Sequence, residues 1–152
     1  EEECFLVTPE YNPDAWDARF GVVEVAELVA VPAAKLLVRC ETMMATEMFD
    51  AIAPVVDPAD AYVTYSMDEG LIEISRPGVN KAAGVSRLAA RYGVEASDVV
   101  AFGDMPNDLE MLTWAGLGVA MGNASPVLLD AADHVTATND EDGVAVVLER
   151  WF

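Results

Sequence analysis

The order of apolar and polar residues differs between the two halves of this chain, and the pattern is clearer in the second half. There, short apolar runs end at glycine or polar residues, which indicates buried strands, and each run precedes a stretch with helical spacing. The pattern predicts helix 80–92, strand 98–103, helix 106–115, strand 117–121, helix 125–132, strand 133–138 and helix 143–151. Strands that alternate with helices predict a parallel sheet covered by helices, and therefore an α/β fold class.

The first half mixes short strands and helices without this regular alternation. The pattern predicts a strand at 5–8, a helix at 22–30, a strand at 35–39, a helix at 43–53, and a hairpin of strands 61–67 and 71–75 across the turn 68–70. We therefore expect a small α+β unit over residues 1–77 and a second unit over residues 78–152, with Arg76-Pro77-Gly78 as the link between them.

The chain is strongly acidic, with 27 Asp and Glu against 8 Lys and Arg and a formal net charge of −19. A surface of this charge repels nucleic acids and anionic lipids, so neither is an expected partner. No uninterrupted apolar run reaches the roughly eighteen residues that a membrane-spanning helix needs. Cys4 and Cys40 lack metal-ligand spacing, which favours free thiols in a reducing cytoplasm and leaves a disulfide as the alternative.

Candidate chemistry lies where the predicted strand 98–103 ends. Asp104 follows the strand directly, and Pro106, Asn107 and Asp108 open the next helix. Two carboxylates and an amide are thus gathered at the carboxyl end of a strand, where open α/β sheets bind ligands. Hard oxygen ligands of this kind suit Mg²⁺. An ordinary strand–turn–helix junction with acidic caps is the alternative that the local pattern leaves open.

A lysine precedes this segment in an unusual position. Lys81 falls in the first turn of the predicted helix 80–92, where a cation opposes the helix dipole, and this placement makes more sense if the side chain faces an anion such as phosphate. A solvated surface lysine is the alternative. The only other lysine of the chain is Lys35, so a stray surface lysine is less expected here than in most proteins.

Four short motifs occur in order along the second half: Gly-Val-Asn-Lys at 78–81, Gly-Asp-Met-Pro-Asn-Asp at 103–108, Gly-Val-Ala-Met-Gly-Asn-Ala at 118–124 and Glu-Asp-Gly-Val at 141–144. Together they resemble the carboxyl-terminal half of the haloacid dehalogenase-like phosphatases, specifically the Cof-like group with a large α+β cap. The resemblance implies a Rossmannoid parallel sheet with covering helices over residues 78–152, preceded by part of a cap domain over residues 1–77.

The resemblance also implies roles for individual residues. Lys81 would bind the transferring phosphoryl group, Asn107 would contact the substrate phosphate, Asp104 would hold Mg²⁺, and Asp108 would support the metal site. The implied activity is Mg²⁺-dependent hydrolysis of small phosphorylated metabolites, with sugar phosphates as the expected class, through an aspartyl-phosphate intermediate.

The family's nucleophile lies in an amino-terminal Asp-x-Asp-Gly-Thr segment, which these 152 residues do not contain. We therefore expect this chain to be inactive alone, with the nucleophile-bearing segment missing from it. Residues 140–143 spell Asp-x-Asp-Gly, as a circularly permuted enzyme would require, but the preceding segment is polar and Val144 replaces the threonine. A turn rich in Asn, Asp and Gly is the favoured interpretation of this stretch.

In the family's sheet, the strand that carries the nucleophile lies beside the strand equivalent to 98–103. Without that neighbour, an apolar Val-Val-Ala-Phe strand would form a bare sheet edge, which is a pairing site. The expectation is a homodimer, a complementing amino-terminal segment or a longer parent polypeptide. Two other classes of function stay open: a non-catalytic remnant that binds metal or phosphate, and an assembly protein that uses strand 98–103. The single histidine, His134, is predicted to be structural rather than catalytic.

Overall fold

The computed structural model of the chain describes residues 5–11 and 20–151. The strands, in chain order, are β1 (Phe5–Val7), β2 (Phe20–Val22), β3 (Lys35–Arg39), β4 (Tyr62–Thr64), β5 (Leu71–Ser75), β6 (Val100–Gly103), β7 (Leu117–Ala120) and β8 (His134–Val135). The helices are α1 (Val25–Leu28), α2 (Ala45–Ile52), α3 (Lys81–Tyr92), α4 (Leu109–Trp114), α5 (Pro126–Ala131) and α6 (Gly143–Leu148). Each helix in the described ranges is too short or too polar to span a bilayer.

An antiparallel sheet forms before residue 77, with β5 between β3 and β4. The predicted hairpin is therefore present as β4 and β5, and β3 extends its sheet. Helix α2 packs on one face of this sheet and buries Ala45 and Met48 against Ile72 and Tyr65. Successive side chains of a strand point to opposite faces of the sheet, so the cross-strand partners Thr64 and Glu73 lie on the other face.

The helix predicted over residues 22–30 is present but shorter, and its first predicted residue belongs to a strand. Residues 20–22 form β2, which pairs in parallel with β1, and helix α1 covers only 25–28. The physical reason is the backbone partner that β1 offers, which also accepts from Val23 N–H through the Val7 carbonyl, and the β-branched pair Val22-Val23 tolerates the extended backbone. The short helix that follows gains little from packing, since Val25 and Val29 are 58% and 63% exposed.

A parallel sheet forms in the second half, with strand order β6-β7-β8, as the alternating pattern predicts. Helices α4 and α5 pack on it through a core of small and branched side chains: Ala101, Leu112, Ala115, Ala120, Ala124 and Leu128. Among the described residues, β6 pairs with β7 alone. The homodimer or complementing segment expected at this edge stays a prediction, as does the domain boundary at residue 77.

Two elements differ in extent from the sequence expectation. The helix expected at 106–115 opens with a 3₁₀ turn over Pro106–Asp108 before α4 begins. The strand expected at 133–138 pairs only over His134–Val135. Beyond it, Thr136 N–H still donates to the Ala120 carbonyl of β7, while the Thr136 hydroxyl donates to the carbonyl of Gly143 and the Ala137 carbonyl accepts from Gly122 N–H. Residues 136 and 137 thus contact the loops around the strand ends.

The antiparallel sheet and the parallel sheet are joined by a part-buried hydrogen bond. The Tyr62 hydroxyl on β4 donates to Glu110 Oε1 in the first turn of α4 at 2.6 Å. Nearby, Met105 packs against the cluster formed by α2 and β5. Burial first, and then the hydrogen bond to the Glu110 carboxylate and its charge, raise the pKa of Tyr62 above its ordinary value. The folded state therefore favours the neutral phenol.

Replacing Tyr62 by phenylalanine should lower the unfolding free energy at pH 7 by about 1 kcal/mol, because a hydrogen bond to a part-buried carboxylate is lost. The contribution of the neutral phenol is present below the unfolded-state pKa of about 10 and is lost as pH rises above it. Urea titrations at several pH values from 7 to 11 should therefore show that the free energy of unfolding falls less steeply with rising pH for Tyr62→Phe than for the unaltered chain. Tyr92→Phe, at a 74% exposed position, is the control, and parallel alkaline limbs in all three proteins would contradict the expectation.

Candidate active site

The site is built at the carboxyl end of β6. The strand ends at Gly103, Asp104 follows, and the 3₁₀ turn then carries Asn107 and Asp108. The Asp108 carboxylate turns back on its own loop, where Oδ2 accepts from the N–H of Asp104 at 3.2 Å and of Met105 at 3.4 Å. Asp108 is 5% exposed, so these bonds satisfy a carboxylate that has little access to water.

Gly103 is required by the position of that carboxylate. A Cβ atom at residue 103 would lie 2.4 Å from the Cβ of Asp108 and 2.9 Å from Cδ1 of Leu112. Both distances are far below van der Waals contact, so any side chain at this position would displace the acid. The Gly-Asp sequence at the strand end is therefore a steric condition for the site.

Lys81 reaches the same loop from helix α3. Asn80 caps this helix by accepting from Ala83 N–H at 2.9 Å, and the capped first turn directs the Lys81 side chain towards the turn before α4. Its Nζ donates to Asp108 Oδ1 at 2.5 Å and to Asn107 Oδ1 at 3.3 Å. The lysine side chain is 48% exposed, whereas that of Asp108 is 7% exposed, so the pair lies at the edge of the protein interior with the lysine on the solvent side.

The four residues predicted from the sequence thus lie together, three on the loop after β6 and Lys81 at the start of α3. Lys81, Asn107 and Asp108 are joined directly by hydrogen bonds, and Asp104 is joined to Asp108 through its backbone N–H. Their roles in binding metal and phosphate stay predictions. The geometry can offer an anion the ammonium of the half-exposed lysine, and can offer a cation a carboxylate oxygen.

Asn123 belongs to this group although it is not among the predicted site residues. It follows β7, and its Nδ2 donates to Asp104 Oδ2 at 3.2 Å while its Oδ1 accepts from the N–H of Asn139 at 3.0 Å. The N–H of Ser125 also donates to the Asp104 carbonyl at 2.8 Å. One sequence signal could have found it, because Gly122-Asn123 follows soon after the end of β7, much as Gly103-Asp104 closes the neighbouring β6.

The charge of Lys81 also reaches the antiparallel sheet. Burial alone would raise the pKa of Glu73, but hydrogen bonds from Lys35 and Ser66 and the charges of Lys35 and Lys81 together hold it below its ordinary value. Glu73 lies on the face of the sheet opposite helix α2. This face therefore lies within electrostatic reach of the lysine at the candidate site.

The donor atoms at the site are those that Mg²⁺ prefers. Among the described residues, no group of three or more His, Cys, Asp or Glu side chains is arranged to hold a metal ion. Magnesium, however, commonly takes only one or two carboxylates and fills its remaining positions with water and substrate phosphate. The Asp108 carboxylate already accepts hydrogen bonds from Lys81 and from two backbone N–H groups. Of Asp104 and Asp108, Asp104 is therefore better suited to bind a metal ion directly.

The Asp-x-Asp-Gly stretch at 140–143 forms a turn that leads into α6. Residues Asn139–Glu141 make a single 3₁₀ turn, Asp142 adopts a left-handed conformation with φ of 56°, and α6 starts at Gly143. A Cβ atom at residue 143 would lie 2.1 Å from the Ala137 carbonyl oxygen, so the glycine is needed for this close approach. The turn interpretation agrees with the structure.

Two other residues considered from the sequence lie away from the site. His134 Nε2 is 3.4 Å from a guanidinium nitrogen of Arg150 near the end of α6. Cys40 is a free thiol whose Sγ lies 3.4 Å from the hydroxyl oxygen of Thr42. Cys4 lies outside the described residues.

Comparison with known proteins agrees with this architecture. The model of the haloacid dehalogenase-like hydrolase family matches residues 22–148. The chain is 50% identical over 82 residues to the 5-amino-6-(5-phospho-D-ribitylamino)uracil phosphatase YitU of Bacillus subtilis, an alignment that covers 54% of this chain and 30% of that protein. It is 36% identical over 107 residues to the phosphatase YbjI of Escherichia coli, which is named for the same substrate, over 66% of this chain and 40% of that protein.

A solved haloacid dehalogenase-like hydrolase from B. subtilis superposes with a TM-score of 0.73 and 30% identity, over 89% of this chain and 48% of that one. The chain thus spans about half of this solved structure, and its alignments cover less than half of the two phosphatases. The fold and the comparisons define the class as an α/β protein with the parallel sheet of the haloacid dehalogenase-like family. The chain belongs to the haloacid dehalogenase-like hydrolases, which confirms the family inferred from its four motifs.

Proposed function

We propose that this chain supplies the cation-binding and phosphate-binding part of a Mg²⁺-dependent phosphatase that acts on small phosphorylated metabolites. The observation that carries the proposal is the convergence of Lys81, Asn107 and Asp108 beside Asp104 at the carboxyl end of β6. Phosphoryl transfer requires little covalent chemistry from the protein and depends on positioning and on neutralisation of the phosphoryl oxygens. A lysine, an amide and a magnesium site meet that requirement.

The hydrogen bonds already made by Lys81 and Asn107 leave suitable donors for a phosphate. An ammonium carries three N–H donors, two of which point to Asp108 and Asn107 within the described residues, and the third is available to a phosphoryl oxygen. Because Asn107 Oδ1 accepts from Lys81, its NH₂ group is left as a donor for a phosphoryl oxygen. Asp108 holds the ammonium in place.

Magnesium would be held by Asp104, with Asp108 as support, and when bound it would neutralise charge on the phosphoryl oxygens. The nucleophilic aspartate of the aspartyl-phosphate mechanism would come from an Asp-x-Asp-Gly-Thr segment outside these 152 residues. Three relatives named for 5-amino-6-(5-phospho-D-ribitylamino)uracil support a small substrate with its phosphate on a sugar-derived chain. Sugar and polyol phosphates are therefore the proposed class.

Magnesium binding and phosphatase turnover together test the proposal. Calorimetric titration of the chain with MgCl₂ should give saturable binding that Asp104→Asn removes and that Asp130→Asn, at an exposed position on α5, leaves intact. The chain alone should not hydrolyse p-nitrophenyl phosphate, whereas the chain supplied with an amino-terminal Asp-x-Asp-Gly-Thr segment should do so in a Mg²⁺-dependent manner.

Within the described ranges β6 has a neighbour on one side only, which favours one alternative, an assembly protein that pairs through this strand. That function requires a defined oligomer that is indifferent to Mg²⁺ and to Asp104→Ala in light scattering. Magnesium binding that is never accompanied by turnover, even with the added segment, would instead identify a non-catalytic remnant.

A further inference from the structure

The amide of Asn123 connects the loops that follow all three strands of the parallel sheet. Asp104 follows β6, Asn123 follows β7, and Asn139 follows β8. The Asn123 side chain donates to the Asp104 carboxylate on one side and accepts from the backbone N–H of Asn139 on the other.

The backbone N–H of Asn139 fixes which way this amide points. An asparagine side chain has an acceptor end and a donor end, and its orientation follows from its partners. The N–H of Asn139 can only donate, so Oδ1 of Asn123 must face it, and the NH₂ group must then face Asp104. A carboxylate can only accept when ionised, so both contacts favour the same orientation.

We propose that Asn123 is a positioning residue, which binds Oδ2 of Asp104 and thereby turns the other carboxylate oxygen towards the cation. The Asp104 backbone is already held on both sides, by the bond from its N–H to Asp108 and by the bond from Ser125 N–H to its carbonyl. Side-chain rotation is the freedom that remains, and the Asn123 amide restricts it. The inference rests on the proposed function, since magnesium is the cation that Asp104 is proposed to hold.

Position 139 offers a test that leaves every site side chain in place. Asn139 is the first residue of a 3₁₀ turn, where proline is tolerated, and Thr138 before it has φ of −67° and ψ of 166°, the extended conformation that a following proline requires. Asn139→Pro therefore removes the N–H that orients the Asn123 amide. Asn139→Ala keeps this N–H and is the matched control.

Magnesium affinity, measured by calorimetry with MgCl₂, should fall about tenfold in Asn123→Ala, the loss expected when a partner that orients a metal ligand is removed. Asn139→Pro should weaken binding in the same direction, and Asn139→Ala should bind as the unaltered chain does. The side-chain NH₂ signals of Asn123 in ¹⁵N-resolved NMR should exchange slowly with water in the unaltered chain and faster in Asn139→Pro, without any metal present.

Unchanged magnesium affinity in Asn123→Ala, alongside normal binding by the unaltered chain, would overturn the positioning role and leave the proposed function standing. Absence of binding by the unaltered chain would overturn the magnesium proposal and the positioning role together. Thermal unfolding of each variant, followed by circular dichroism, separates a loss of affinity from a loss of fold.

Discussion

Lys81→Met should lower both stability and turnover. The Asp108 carboxylate is almost fully buried and would lose its only cationic partner among the described residues. Because the lysine is half-exposed, we expect a loss of about 2 kcal/mol in the free energy of unfolding, the scale of a charged hydrogen bond. In the protein supplied with its nucleophile segment, kcat should fall about 100- to 1,000-fold, because a fixed donor to the phosphoryl oxygens is removed.

Lys35→Met is the matched control for this prediction. Lys35 pairs with Glu73 at 2.6 Å, and the two side chains are 49% and 13% exposed, close to the 48% and 7% of Lys81 and Asp108. A comparable or smaller loss of stability is expected, with kcat for p-nitrophenyl phosphate unchanged. Equal turnover in the two variants would contradict the role of Lys81. Adding Asp108→Asn to Lys81→Met should recover part of the lost stability, since it removes the unpaired charge.

Gly103→Ala should destabilise the protein by about 3 kcal/mol, at the upper end of overpacking effects. The added Cβ would lie 2.4 Å from the Cβ of Asp108, and the nearby Leu112 is buried in the core, so neither neighbour can move cheaply. Displacement of Asp108 would also break its bond to Lys81. Urea unfolding measures the first effect, and loss of magnesium binding measures the second.

Gly84→Ala provides the contrasting substitution. Gly84 lies within helix α3, and among the described residues no atom beyond its chain neighbours and the backbone of its own helix comes within 4 Å of the position its Cβ would take. The substitution should therefore raise the free energy of unfolding by about 1 kcal/mol through helix propensity alone. If the two alanines had the same effect, the steric account of Gly103 would be wrong.

The second half of the fold could be predicted because each boundary carries a local signal. Gly103-Asp104 ends β6, Gly93 ends α3 in the left-handed conformation, and Pro106 opens the turn before α4. These signals depend on residues next to one another in sequence. The convergence of Lys81 with the loop at 104–108 was expected from the family resemblance, and the hydrogen bonds agree with it.

The parts that the sequence does not predict depend on contacts between distant segments. Strand β2 forms because β1 offers it a backbone partner, which no periodicity in residues 22–30 could reveal. The Tyr62–Glu110 bond joins residues 48 positions apart, and the Asn123–Asp104 bond joins residues 19 apart. Such pairs are set by how loops turn in space, and side-chain identity alone does not specify them.

The Asp108 side chain occupies the space that a side chain at position 103 would need, and this limits how the two positions can change in evolution. Alanine at position 103 and aspartate at position 108 are sterically incompatible, so the two positions should covary among descendants of this chain. A lineage that no longer needed the acid could shorten it and would then be free to fill the gap with alanine. Retained glycine beside a retained acid would thus be a mark of continued selection on that loop.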